Sequence, residues 1–337
     1  MKQYITLTFV ATLLVASCST KKESEQEKTY VGEVEVLSDQ LNTIIPSGAR
    51  PELIADGFDW SEGPLWLSEQ KLLIWSDVPI NRIYQWDGDS VSVYLEPSGY
   101  TGQTPRGGEM GSNGLLLDAQ GHLVLCQHGD RRIARMDASL STPTASFTTL
   151  ADNFDSMKFN SPNDAAFGPN GNLYFTDPPY GLEQQAADSL KETEYQGVYR
   201  ISPEGEVFLM TRNLSRPNGI AFSRDYSKCY VSNSDPERAV WLVYDVDQDG
   251  NLTNESVFFD ATSMVEENNG LPDGMKVNKK GFLFATGPGG VFVFTPQGEH
   301  LGTIKSGAPI SNCALNEDES VLFMTSDAMI LKIDLVK

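Results

Sequence analysis

Six short stretches place an oxygen-bearing side chain just ahead of an apolar run: Glu62 in SEGPLW, Asn113 in SNGLLL, Asn163 in PNDAAF, Asn218 in PNGIAF, Asp273 in PDGMKV and Asn312 in SNCALN. Brought onto one axis, two carboxylates and several carboxamides form a donor set for a hard divalent cation such as calcium. No Cys or His occupies these positions, which argues against a soft, zinc-type site. The plainer alternative is that Asn and Asp make turns ahead of strands. Glu62 counts against it, because Glu is a poor turn residue. Of the three histidines, His122 and His300 fall in turns, whereas His128 in CQHGDRR ends a strand-like run. It reads either as a structural hydrogen bonder or as a substrate-contacting or proton-transferring group.

Something must bring these side chains together, and the pattern around them says what. Each opening residue is followed by a short apolar strand, a polar turn and a second strand, and most units continue into further strands such as RIYQWDGDSVSVYL or GVFVFTPQGEHLGTI. Alternation and enrichment in β-branched and aromatic residues support strands throughout. The openings recur about every 50 residues, the last after about 40, which is the period of a four-stranded blade. The architecture expected is all-β, a six-bladed β-propeller. The last unit has room for about three strands, so RPELIADGF (50–58) is expected to supply the missing one and close the ring. In a propeller the first strand of each blade lines the central channel, and the six openings then meet at one end of it. The second strands return to the same face, which would crowd the ring with Asp77, His128, Asp177 and Asn233.

The chain has 337 residues and a formal net charge of −21, from 46 acidic and 25 basic residues. That excess argues against nucleic acid or anionic lipid as partners, since both need a basic footprint. The N-terminus reads as an export signal: MK, then the apolar run YITLTFVATLLVAS, ending in Val15-Ala16-Ser17-Cys18. This resembles a bacterial lipobox with Cys18 acylated; the alternative is an ordinary signal peptide with an incidental cysteine. The domain plan is therefore a lipoprotein signal over 1–18, a flexible charged tether over 19–44 and the propeller over 45–337. It describes an exported protein, held to a membrane through its lipid alone, on the periplasmic side. Cys126, Cys229 and Cys313 lie in apolar runs and read as buried thiols. DVDQDGNLTNES (245–256) imitates a calcium loop but has Ser256 where the bidentate glutamate belongs, so it reads as a hairpin turn.

Across about residues 45–335 the chain resembles the SMP-30/gluconolactonase/LRE (regucalcin-like) family. The resemblance is carried by SEGPLW, GSNGLLLDAQGHLVLCQHGDRR, SPNDAAFGPNGNLYFTDPPYG, RPNGIAFSRD and LPDGMKV, and CQHGDRR with FTDPPYG leans toward bacterial gluconolactonases. It implies a six-bladed propeller with one divalent metal in the channel, calcium first, with zinc, manganese or magnesium as substitutes. It also implies hydrolysis of a sugar lactone, with the metal polarising the carbonyl and an activated water attacking. Carried over by motif, Glu62, Asn218 and Asp273 are the metal ligands, and Asn163 a further ligand or a substrate contact. Asp273 or His128 is the general base. Asn113, Arg106 in the insert 97–111 and Tyr180 in the insert 178–197 are the remaining candidate substrate contacts. The alternatives are hydrolysis of another lactone or ester, or a propeller that only binds.

Overall fold

Second-strand sequences such as LVLCQ (Leu123–Gln127) and LFATG (Leu283–Gly287) are buried along their whole length. A short run buried on both faces needs a sheet packed against each of them. The chain meets that demand by ringing six antiparallel sheets around an axis, in a computed structural model that describes Met1 and residues 28–337. Residues 2–27 lie outside the described residues, and with them nearly all of the expected signal segment, Cys18 and the first part of the expected tether.

Blade 1 consists of Ser61–Leu67, Leu72–Asp77, Arg82–Trp86 and Val91–Leu95, and blade 2 of Ser112–Leu117, Leu123–Gln127, Arg132–Met136 and Phe147–Ala151. Blade 3 has Ala165–Phe167, Leu173–Asp177, Gln196–Ile201 and Val207–Leu214; blade 4 has Pro217–Phe222, Lys228–Asp235, Arg238–Val246 and Leu252–Asp260. Blade 5 is Met275–Val277, Leu283–Gly287, Gly290–Phe294 and His300–Lys305. Blade 6 takes Asn312–Leu315, Val321–Ser326 and Met329–Asp334 from the end of the chain. Its fourth strand is Glu52–Asp56, with Glu52 opposite Lys332 and Asp56 opposite Met329. The closing strand is thus the one RPELIADGF predicts.

Residues 30–44, expected to be part of a flexible tether, are instead built into the fold. Tyr30 already bridges to Glu52, and Glu33–Val36 adds a fifth strand to blade 5 against His300–Lys305. A 3-10 turn over Asp39–Thr43 follows, and Leu41, Ile44 and Ile45 are buried behind it. Burying such side chains stabilises by about 1.5–3 kcal/mol each. Three of them outweigh the charged composition that made the stretch read as solvated.

The core is not one mass. Six hydrophobic clusters lie between successive blades, one for each gap. Between blades 4 and 5, Trp241 packs on Phe292 and Phe294 with ring centroids 5.2 and 5.7 Å apart. Cys126, Cys229 and Cys313 are buried free thiols within these layers. Because the apolar residues fill the gaps, the axis itself is left to polar side chains.

Candidate active site

Five of the six opening residues line one cavity of 320 Å³ at the channel mouth: Glu62, Asn113, Asn163, Asn218 and Asp273. The glycine that follows four of the six is not there for a turn. A Cβ on Gly63 would stand 2.0 Å from the Asn113 carbonyl oxygen of blade 2, and one on Gly219 would stand 2.2 Å from that of Asp273 in blade 5. At Gly63 and Gly219 the inner strand therefore approaches its neighbour backbone to backbone, and Gly114 donates to the Asn163 carbonyl at 2.8 Å. This close approach sets the spacing of the ring residues before their side chains matter.

The side chains are oriented by what they touch. Asn218 turns its amide nitrogen to Ser234 Oγ at 3.0 Å, and Ser234 in turn donates to the Pro272 carbonyl. That leaves Asn218 Oδ1 buried without a hydrogen-bond partner, as are Asn113 Oδ1 and Asp273 Oδ1. Both hydrogen bonds to Glu62 fall on Oε2, from Gly63 N at 2.8 Å and Asn312 Nδ2 at 3.2 Å. Asn312, expected in the ring, lies behind it and props Glu62.

Burial pushes the carboxyls of Glu62 and Asp273 up, and the charges of Asp164 and Glu109 push both further. Glu62 raises Asp273 as well. Two mutually repelling acids beside unpartnered amide oxygens are an arrangement that a hard cation would relieve. Among the described residues no three His, Cys, Asp or Glu side chains gather to hold an ion. The ring instead offers two carboxylates and amide oxygens, and Glu62, Asn163, Asn218 and Asp273, which line the same cavity, could hold one.

The second strands do not crowd the ring as expected. Asp77 accepts from the N–H groups of Asp59 and Trp60, Asp177 from those of Asn160 and Ser161, both at 2.8 Å, and Asn233 Oδ1 from Arg216 N at 2.9 Å. They fasten the segment that leads into the inner strand of their own blade. His128 is fully buried and does not line the cavity; its Nδ1 is 3.2 Å from Glu109 Oε2. Arg106 does not line the cavity either. Its guanidinium donates to the Gly129 carbonyl at 2.6 Å and to that of Gly181, and it lies over the Tyr100 ring. Tyr180 does line the cavity, and burial raises its hydroxyl pKa. The calcium-loop imitation is a hairpin, with Asp247 accepting from Asp249 N and Asn251 N.

Sequence reasoning missed Glu109, Trp60 and Ser234, which also line the cavity. Glu109 and Trp60 come from loops outside the repeat. Ser234 follows Asn233 at the end of blade 4's second strand, and its own contacts, not its spacing, mark it. Asp164 was missed too. It stands beside Asn163 where four of the other blades have glycine, is buried, and accepts from Ala165 N at 2.9 Å.

Residues 60–328 match the model of the SMP-30/gluconolactonase/LRE-like region. The chain is 37% identical over 330 residues to a gluconolactonase of Zymomonas mobilis, covering 96% of this chain and 92% of the relative. It is 25% identical over 247 residues to a pentonolactonase of Haloferax volcanii, covering 72% of each. A solved gluconolactonase of Xanthomonas campestris superposes with a TM-score of 0.79 at 30% identity, covering 92% of this chain and 98% of that one.

Proposed function

The chain belongs to the SMP-30/gluconolactonase/LRE-like family, and from that premise we propose that it opens a sugar lactone with the help of one divalent cation. It is a lactonase, a carboxylic ester hydrolase. The observation that carries the finer reading is the convergence of Glu62 and Asp273 with the unpartnered amide oxygens of Asn113 and Asn218 in one cavity.

Glu62, Asn163, Asn218 and Asp273 would hold the cation, with calcium the first choice for an all-oxygen set. When bound, it supplies a Lewis-acid contact for the lactone carbonyl oxygen and the negative charge that develops there. The cavity of 320 Å³ suits a six-membered ring with its substituents. Trp60, Leu271 and Ile310 give it apolar walls that exclude bulk water, and Asn113 and Tyr180 offer polar contacts to the substrate.

Asp273 acts as the base. Asp273 lines the cavity and its Oδ1 has no hydrogen-bond partner in the protein, so it is available to accept a proton from a water there. Asp273 takes a proton from the attacking water as the new C–O bond forms at the carbonyl carbon. The ring C–O bond then breaks, and the leaving oxygen takes that proton back. One water is consumed and one hydroxy acid is released. Asp273 is preferred over His128 because it lines the cavity and His128 does not.

The test is turnover of δ-gluconolactone by the purified protein before and after chelation. Activity should be lost with the metal and return on adding Ca²⁺. Full turnover in protein shown by elemental analysis to be metal-free would refute the cation's role.

A further inference from the structure

Glu109 reaches the cavity from outside the six-fold repeat, on the insert 97–111. Its placement is built, not incidental. Arg106 ties this insert to the loop after blade 2's second strand through the Gly129 carbonyl and to the insert 178–197 through that of Gly181. Gly107 and Gly108 pass so close to Glu183 that a Cβ on Gly107 would stand 2.6 Å from its Oε1. Gly108 has φ +78, a conformation that suits glycine. On the far side, Gly111 donates to the Val78 carbonyl at 2.7 Å. Both flanks of Glu109 are thereby fixed, and its side chain remains 33% exposed.

His128 lies beneath it. The imidazole is fully buried, and neither ring nitrogen makes an aligned hydrogen bond within the protein. Nδ1 is nevertheless 3.2 Å from Glu109 Oε2, which is hydrogen-bond distance with bent geometry. A buried ring with unsatisfied nitrogens is costly to keep and calls for an explanation. Contact with Glu109 supplies one.

The chemistry of the acceptor limits what Glu109 can do. An ionised carboxylate only accepts hydrogen bonds. The carbonyl and ring oxygens of a lactone only accept as well, so Glu109 cannot bind the reacting ester. The donors a lactone can offer are the hydroxyls on its ring carbons. We propose that Glu109 is a specificity-determining residue that accepts hydrogen bonds from the ring hydroxyls of a polyhydroxylated lactone, and that His128 is the positioning residue that holds its carboxylate. The inference rests on the lactonase reading and names the substrate class of that site. A site built to bind hydroxyls disfavours the analogue that lacks them.

The experiment compares kcat and KM for δ-gluconolactone and for δ-valerolactone, which has the same ring without hydroxyls, in the metal-loaded full-length protein. Glu109→Ala should lower the preference for the hydroxylated lactone by about 10- to 100-fold, through KM and not kcat. His128→Ala should lower it in the same direction by less. His128→Asn keeps an N–H near the place of Nδ1 and should restore much of the loss. The double variant should be no worse than Glu109→Ala, because the histidine acts through the glutamate. A preference within about threefold of wild type in Glu109→Ala, or a loss that falls on kcat, overturns the proposal. Glu109 is on a surface insert, so its variants still fold if His128→Ala does not. If wild type opens neither lactone, the lactonase reading fails and this inference with it. If wild type opens both and the preference does not move, only this inference fails.

Discussion

Asp177 and Asp273 are both buried acids beside the channel, and the fold treats them in opposite ways. Asp177 ends a second strand, and its two oxygens accept backbone N–H groups from Asn160 and Ser161 at 2.8 Å each. Asp273 opens an inner strand, and its Oδ1 has no partner. The same contrast holds between Asn233, bonded to Arg216 N and the Arg238 carbonyl, and Asn218, whose Oδ1 is left free. Residue type does not separate the two sets. What separates them is unused hydrogen-bonding capacity: the second-strand set is consumed in holding the chain, and the inner-strand set is held by the chain and kept available.

The comparison breaks first at Asp273. Asp273→Asn should lower kcat by about 10²–10⁴-fold at saturating Ca²⁺, the usual size of a general-base contribution. The thermal midpoint of the metal-free variant should rise, because the substitution removes a charge that repels Glu62. Retained kcat with metal occupancy verified would return the role of base to His128.

Asp177→Ala should show the reverse profile. It strands two buried N–H groups, each costing about 1–3 kcal/mol, so urea unfolding should report a loss of about 2–6 kcal/mol. Turnover per folded molecule should change far less than in Asp273→Asn. A stability loss below about 1 kcal/mol would show that the second-strand acids are not fasteners.

Glu62→Gln keeps an acceptor at the same place but removes the charge. Calcium affinity measured by titration calorimetry should fall at least about 10-fold, since even residues that only support ligands cost about 10–100-fold. Unchanged affinity would remove Glu62 from the cation site.

The smallest effect is one of pH. Burial pushes Asp177 up to about 7, above its unfolded value near 3.9. Its contribution to stability is therefore full below pH of about 3.9 and is lost as the pH rises through about 7. The unfolding free energy of wild type relative to Asp177→Asn should drift in the variant's favour over that window and stay level above it. A difference that is flat from about pH 4 to pH 7 would mean that the two N–H bonds to its oxygens outweigh burial.

The ring was legible in the sequence because it repeats. Glu62, Asn113, Asn163, Asn218 and Asp273 each stand at or just before the start of an inner strand, and one alignment places all five. The closing strand Glu52–Asp56 was legible because the last blade is one strand short. The same logic failed one layer out, since spacing puts Asp77 and Asp177 at the correct end of the blade but does not say which atoms they meet. Arg106 failed for a related reason: an arginine in a loop beside a site reads as a substrate contact until its carbonyl partners are known. Glu109 and Trp60 come from loops that no repeat constrains, and Glu33–Val36 pairs with a strand more than 260 residues away.

Glu62 is propped by Asn312 across 250 residues of chain. A ribosome emitting about 5–20 residues per second leaves roughly 10–50 s between the appearance of the two. During that interval Glu62 has been made and its support has not. Blade 6, which carries Asn312, is completed by Met329–Asp334 and sealed by Glu52–Asp56, a strand that must also wait. The centre of the molecule is thus finished by blade 6, made after the other five. A chain that stops short of Asn312 lacks the Glu62–Asn312 contact however well its first five blades have packed.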